Sequence, residues 1–135
     1  MPRKVFVNLP VKDLKKSIEF FTGLGFSINP HFTDDTAACL VISEEIYSML
    51  LTHEKFKQFI SQPISDASKS TEVLVAISCD NRAEVDRIVD KAMASGATLA
   101  NQPQDHGFMY IRSFHDLDGH VWEWFWMDPT AIPQS

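Results

Sequence analysis

The sequence predicts an α+β fold made of two β-α-β-β-β units. Three observations carry this. The stretch "KVFVNLPVKDLKKSIEFFTGLG" passes from period-two alternation to a helical period and ends on glycine. The same order returns in "TEVLVAISCDNRAEVDRIVDKAMASG". Each unit then runs on through short apolar segments divided by turn residues.

In the first unit, Lys4–Val11 alternates, with Val5, Val7, Leu9 and Val11 on one face and Phe6, Asn8 and Pro10 on the other. Asp13 is placed to cap a helix carrying Leu14, Ile18, Phe21 and Leu24 on one stripe, and Gly25 stops it. "FSINPHF", "AACLVIS" and "EIYSMLLTH" follow as strands. A short helix is expected around Phe56, Phe59 and Ile60, ended by Pro63, and Ser65–Ser70 reads as linker.

In the second unit, "TEVLVAISC" is a strand, and Asp80 or Asn81 caps a helix, with Asn81 and Glu84 spaced as a capping box. That helix presents Val85, Ile88, Val89, Ala92 and Met93, and Gly96 ends it. "ATLAN" and "GFMYIRSF" are strands, the latter with Tyr110, Arg112 and Phe114 on one face. "HDLDG" is a hairpin turn, "HVWEWFWM" the last strand, and Pro129 and Pro133 mark an irregular tail. The expected organisation is one domain over 1–135, with modules at about 4–56 and 71–128, a linker at 57–70 and a tail at 129–135.

Composition narrows the partners. The net charge of −6 argues against nucleic acid, because phosphate binding wants a basic face. It argues equally against an anionic membrane surface, and no run approaches the roughly 18 apolar residues of a membrane span. The basic start "MPRKVFVNLPVKDLKK" is interrupted by Asn8, Pro10 and Lys12 and lacks the apolar core of a signal peptide. Cys39 and Cys79 lie far apart in strand-like runs, as expected for reduced core thiols in a cytoplasmic protein.

The opening "VKDLKKSIEFFTGLGF" and the closing "FHDLDGHVWEWF" together resemble the vicinal-oxygen-chelate superfamily, which holds glyoxalase I, bleomycin- and fosfomycin-resistance proteins and extradiol dioxygenases. The resemblance runs from Lys4 to Met127. It implies two βαβββ modules whose mixed sheet curls around a shared cleft, with helices outside, and a homodimer. In metal-containing members, four cleft-facing side chains on the first and last strands of each module hold a divalent metal. Here those positions fall on Phe6, on or next to Leu50, on Leu74 and on Glu123. Only Glu123 is a ligand type, whereas a divalent site needs three or more protein ligands. A metal cofactor is therefore not supported by a complete set.

Glu123 is then a catalytic base, an incomplete metal ligand, or the partner of Arg112, which counting back across "HDLDG" sets opposite it. Phe6, Asn8, Leu50, Leu74, Tyr110, Arg112 and Phe125 are the expected ligand-binding residues, a mostly apolar pocket with polar anchors. Ser48, Thr52 and Ser78 share the inward parity. Trp122, Trp124 and Trp126 have the opposite parity from Glu123 and are expected to pack against a helix or a subunit partner. Among the histidines, His106 and His115 flank a strand and are the ones able to complete a rearranged metal site. No HExxH, phosphate loop or serine triad is present.

The functional expectation is a glyoxalase/bleomycin-resistance-like protein binding a small molecule in its cleft, with lyase- or isomerase-type proton transfer by Glu123. The alternatives are a ligand-sequestering protein without turnover and a metal-dependent lyase or dioxygenase with a rearranged site.

Overall fold

The computed structural model describes residues 2–131. The expected tail residues 132–135, with Pro133, lie outside the described residues. The chain divides into two compact units, Met1–Ser65 and Asp66–Ser135.

The first unit holds β1 (Val5–Val11), α1 (Leu14–Gly23), β2 (Ser27–Asn29), β3 (Ala37–Val41), β4 (Ile46–Thr52) and α2 (His53–Lys57). Its sheet runs β1-β4-β3-β2, with β1 and β4 parallel and the other pairs antiparallel. Asp13 caps α1 as expected, its carboxylate accepting the Lys16 N–H at 3.2 Å. The buried stripe of α1 is Leu14, Ser17, Phe20, Phe21 and Leu24, and Ile18 is only half-buried. The stripe turns by one residue because Phe20 and Phe21 both go inward, in an edge-to-face pair 5.0 Å apart. β2 is shorter than expected, because Pro30 has no N–H for a ladder and opens a 3₁₀ turn instead. α2 starts earlier than expected. Thr52, the last residue of β4, caps it by accepting the Lys55 N–H, which leaves Phe59 beyond its end and exposed.

The second unit holds β5 (Leu74–Ser78), α3 (Arg82–Ala94), β6 (Thr98–Leu99), β7 (Gln104–Asp105), β8 (Met109–His115) and β9 (Val121–Met127). The sheet runs β5-β9-β8-β6, with β5 and β9 parallel, and β7 also pairs with β8. The edge is thus in two pieces. Pro103 lies in the gap, and Asn101 there donates its N–H to the Ser113 hydroxyl at 3.1 Å instead of joining the ladder. Asn81 caps α3 through the Glu84 N–H at 2.8 Å. The Glu84 side chain reaches back to the Asp80 N–H at 3.0 Å, one residue before the cap. Val85, Ile88, Val89 and Ala92 are buried as expected, while Met93 is exposed.

Each sheet has one face sealed by its helix. In the first unit Leu9, Val11, Ala38, Leu40, Ser48 and Leu50 are all at most 2% exposed, and α1 packs on β3 and β4. In the second, Phe114, Trp122 and Trp124 fill the layer beneath α3, the two indoles stacked 6.0 Å apart. These three rings are among the largest fully buried side chains of the protein, and burial of apolar area on that scale is strongly stabilising. The expectation that the tryptophans pack against a helix holds for Trp122 and Trp124.

The closing turn is pinned from inside. Asp116 is buried, and its carboxylate accepts the backbone N–H groups of Asp118 and His120 and the Trp122 indole N–H at 2.9 Å. Burial pushes the Asp116 carboxyl up, against the pull of His120 and of these donors.

Candidate functional site

Strand pairing decides which of the expected residues share a surface. On the second sheet Glu123 pairs with Ser113 on β8 and Ala76 on β5. Alternation then puts Leu74, Ala76, Ser78, Ile111, Ser113, Val121 and Phe125 on the face of Glu123, away from α3. Leu74, Ala76 and Ser78 are exposed, and Ile111, Glu123 and Phe125 half-exposed. The result is an open, mostly apolar surface with one carboxylate in it. Among the described residues, no hydrogen bond or ion pair engages that carboxylate.

Arg112 is not its partner. It pairs with Trp124, not Glu123, and so lies on the helix face. There its guanidinium is 2.9 Å from both Asp86 and Asp90, one helical turn apart on α3. Tyr110, on the same face, donates its hydroxyl to Asp86 at 2.6 Å. The Tyr110 hydroxyl, with Arg112 beside it, holds the Asp86 carboxyl below its ordinary value. Tyr110 and Arg112 therefore stand apart from Glu123 and Phe125, a correction to the expected grouping. The turn spans residues 116–120, which makes the opposed positions even with even and odd with odd. A count shorter or longer by one residue reverses every assignment.

Arg82 is used on that side as well. It makes two bonds to Asp105, at 2.7 and 2.9 Å, donates to the Gly107 carbonyl, and lies over the rings of Tyr110 and Trp126. This clamp ties β7 to α3 and holds Asp105 well below the usual carboxylate range.

In the first unit the expected pair of Phe6 and Leu50 is also split. Leu9 pairs with Leu50, so Leu50 points under α1 and is fully buried. Phe6 and Asn8 lie on the other face, with Tyr47, Met49 and Leu51. Phe6 is 48% exposed and stacked on Tyr47 at 4.7 Å, with the Lys4 ammonium over the Tyr47 ring. Ser48 and Thr52 follow Leu50: Ser48 donates to the Val7 carbonyl at 2.9 Å, and Thr52 caps α2. Ser78 alone of the three expected hydroxyls is on an open face.

The histidines do not gather at Glu123. His115 has the parity of Ser113, but it sits at the turn end with Nδ1 3.0 Å from the Gly119 carbonyl. His106 lies against Phe108. Among the described residues no group of three or more His, Cys, Asp or Glu side chains is placed to hold a metal ion. The positions that the resemblance assigns to metal carry Phe6, Leu50 or a residue next to it, and Leu74 besides Glu123, and none of Met49, Leu50 and Leu51 is an oxygen or nitrogen donor, so the donor set does not fit a divalent cation. Neither thiol is activated: burial raises Cys39, and burial with Glu84 beside it pushes Cys79 up to about 12.

Two βαβββ modules, each with its helix on one sheet face and a glutamate on the last strand of the second, define the class. A model of the Glyoxalase/Bleomycin resistance protein/Dioxygenase superfamily matches residues 5–124, and the chain belongs to that superfamily. Solved structures agree. Hypothetical protein SA1046 from S. aureus is 28% identical, with a TM-score of 0.76 over 93% of this chain and 94% of its own. A glyoxalase/bleomycin resistance protein/dioxygenase family enzyme from Burkholderia phytofirmans PsJN is 20% identical, with a TM-score of 0.75 over 93% and 99%. The fosfomycin resistance protein FosX from Mesorhizobium loti shares the fold at 14% identity and a TM-score of 0.69, over 96% of each chain. No curated protein matches the chain. No helix among the described residues is long and apolar enough to cross a membrane.

Proposed function

We propose that the chain binds a small molecule against the open face of its second sheet, with Glu123 as the group that accepts a proton or hydrogen bond from it. One observation carries this reading: a carboxylate that no hydrogen bond or ion pair engages among the described residues stands on a mostly apolar surface bordered by Leu74, Ala76, Ser78, Ile111 and Phe125. A polar group on a mostly apolar surface is the usual make-up of a small-molecule site. In an enzyme of this kind Glu123 takes a proton from the bound molecule and returns it, a lyase- or isomerase-type transfer. The test is a thermal-shift screen of small aromatics, amines and thiol conjugates on wild type and Glu123→Gln. Hits that weaken in the variant support the proposal; hits indifferent to the substitution remove Glu123 from the site. For any compound that turns over, a pH–rate profile unchanged in Glu123→Gln rules out the base.

A second reading is sequestration without turnover. It is favoured by the surroundings of Glu123, which offer hydroxyls and apolar groups and, among the described residues, no fitting metal-ligand set. Saturable binding with the ligand recovered unchanged is its signature. Homodimer formation belongs to the same proposal and is checked by light scattering.

A further inference from the structure

The charge pattern of the second sheet selects among ligands. β5, β8 and β9 carry two formally charged side chains, Arg112 and Glu123. Arg112 is on the helix face and shared between two aspartates. Arg82 is on the same side, taken up by Asp105. Arg87 and Lys91 belong to α3, which covers that face. The remaining cation of the unit, Lys69, is in the linker beside the closing turn, and Glu72 precedes β5. His115 faces the Glu123 side at the turn end, its Nδ1 held by Gly119. Within this unit, the strand surface around Glu123 therefore presents a single full charge, and it is negative.

We infer that the Glu123 face selects a cationic, apolar small molecule, such as an aromatic or alkyl amine, over an anionic one. This deepens the proposed function and rests on it. The physical reason is that an anion on this face meets an unpaired carboxylate and no cation to offset its desolvation, whereas an ammonium forms a charge-assisted bond to Glu123 while its apolar body covers Leu74, Ile111 and Phe125. Placing Arg112 opposite Glu123 would have led to the reverse conclusion, an anion anchor beside the base. The strand register removes that anchor.

The experiment uses three probes of one shape and different charge: benzylamine, benzyl alcohol and benzoate. Each is titrated into the full chain at about pH 7.5, where the amine is protonated and the acid ionised, and followed by backbone amide shifts. Benzylamine is expected to move the resonances of Ala76, Ser78, Glu123 and Phe125 and to bind about tenfold more tightly than benzoate. The preference disappears in Glu123→Gln and persists in Arg112→Met. Benzoate binding this face as tightly as benzylamine, or a preference that survives Glu123→Gln, overturns the ligand class while leaving the face as a site. A preference lost in Arg112→Met also overturns it, since Arg112 would then govern the choice. If none of the probes moves these resonances, the face is not a site and both readings fail.

Discussion

Arg112 and Glu123 stand on opposite faces of one sheet: Arg112 pairs with Trp124 and binds Asp86 and Asp90, while Glu123 pairs with Ser113 and faces away from α3. Arg112 is thus a structural clamp between β8 and α3. Arg112→Met leaves two aspartates a turn apart without their shared cation. A loss of about 1 kcal/mol is expected, since both aspartates are largely solvated. Denaturant unfolding of Arg112→Met, Asp86→Asn and the double variant measures it. A coupling indistinguishable from zero would show that the clamp contributes nothing.

Glu123 has the opposite character. Replacing it with leucine removes an uncompensated carboxylate and extends the apolar surface of Leu74 and Phe125. Glu123→Leu is expected to raise stability by about 0.5–1 kcal/mol, the usual sign for a functional group on an apolar face. A clear loss of stability in urea would mean that Glu123 is structural.

Trp122 and Asp116 form the buried hydrogen bond that fixes the closing turn to β9. Trp122→Phe keeps much of the ring packing but leaves a buried carboxylate oxygen short of a donor. The expected cost is about 1–3 kcal/mol. Trp126→Phe, at a half-buried ring with no such bond to Asp116, is the comparison and is expected to cost less. Equal losses would discount the hydrogen bond.

Acid should destabilise the second unit through its clamped carboxylates. Asp86 and Asp105 are depressed by Tyr110 and Arg82 respectively. Their stabilisation is therefore present above the ordinary aspartate value near 4 and lost as pH falls through the folded value. Asp116, raised by burial, acts in reverse: its contribution is present below the ordinary value and lost as pH rises through the folded one. Melting temperature is expected to drop between about pH 5 and pH 2, and less steeply in Asp105→Asn. An identical acid limb in that variant would remove Asp105 from the account.

Gly119 and Gly107 separate two costs of a positive φ. A methyl group on Gly119, at φ +90°, would come 2.8 Å from the Ala67 carbonyl oxygen, whereas at Gly107, φ +82°, nothing lies within 4 Å. Gly107→Ala carries the backbone cost alone, about 1–2 kcal/mol, and Gly119→Ala more, because the linker must move. Thermal melts of the two variants rank them, and the reverse order contradicts the packing at Ala67.

The sequence by itself determined the two β-α-β-β-β modules, the cap at Asp13 and a second cap at Asp80 or Asn81, and the separation of Glu123 from the tryptophans. All of these are local. A strand alternates by covalent geometry, so Trp122, Glu123 and Trp124 divide between two faces whatever lies around them. A cap or a helix stripe is likewise set within a few residues. What the tertiary structure alone decided is which residue of one strand meets which residue of another. Arg112 fell to the helix face because the closing turn occupies 116–120, and a one-residue difference in that count exchanges the faces. Leu50 fell under α1 because it pairs with Leu9 across a parallel ladder, whose register is set through α1, β2 and β3 and by no local signal. The glutamate on the open face was legible from its own strand. The absence of a cation beside it depended on pairing between strands, and that pairing took the expected partner, Arg112, to the other face.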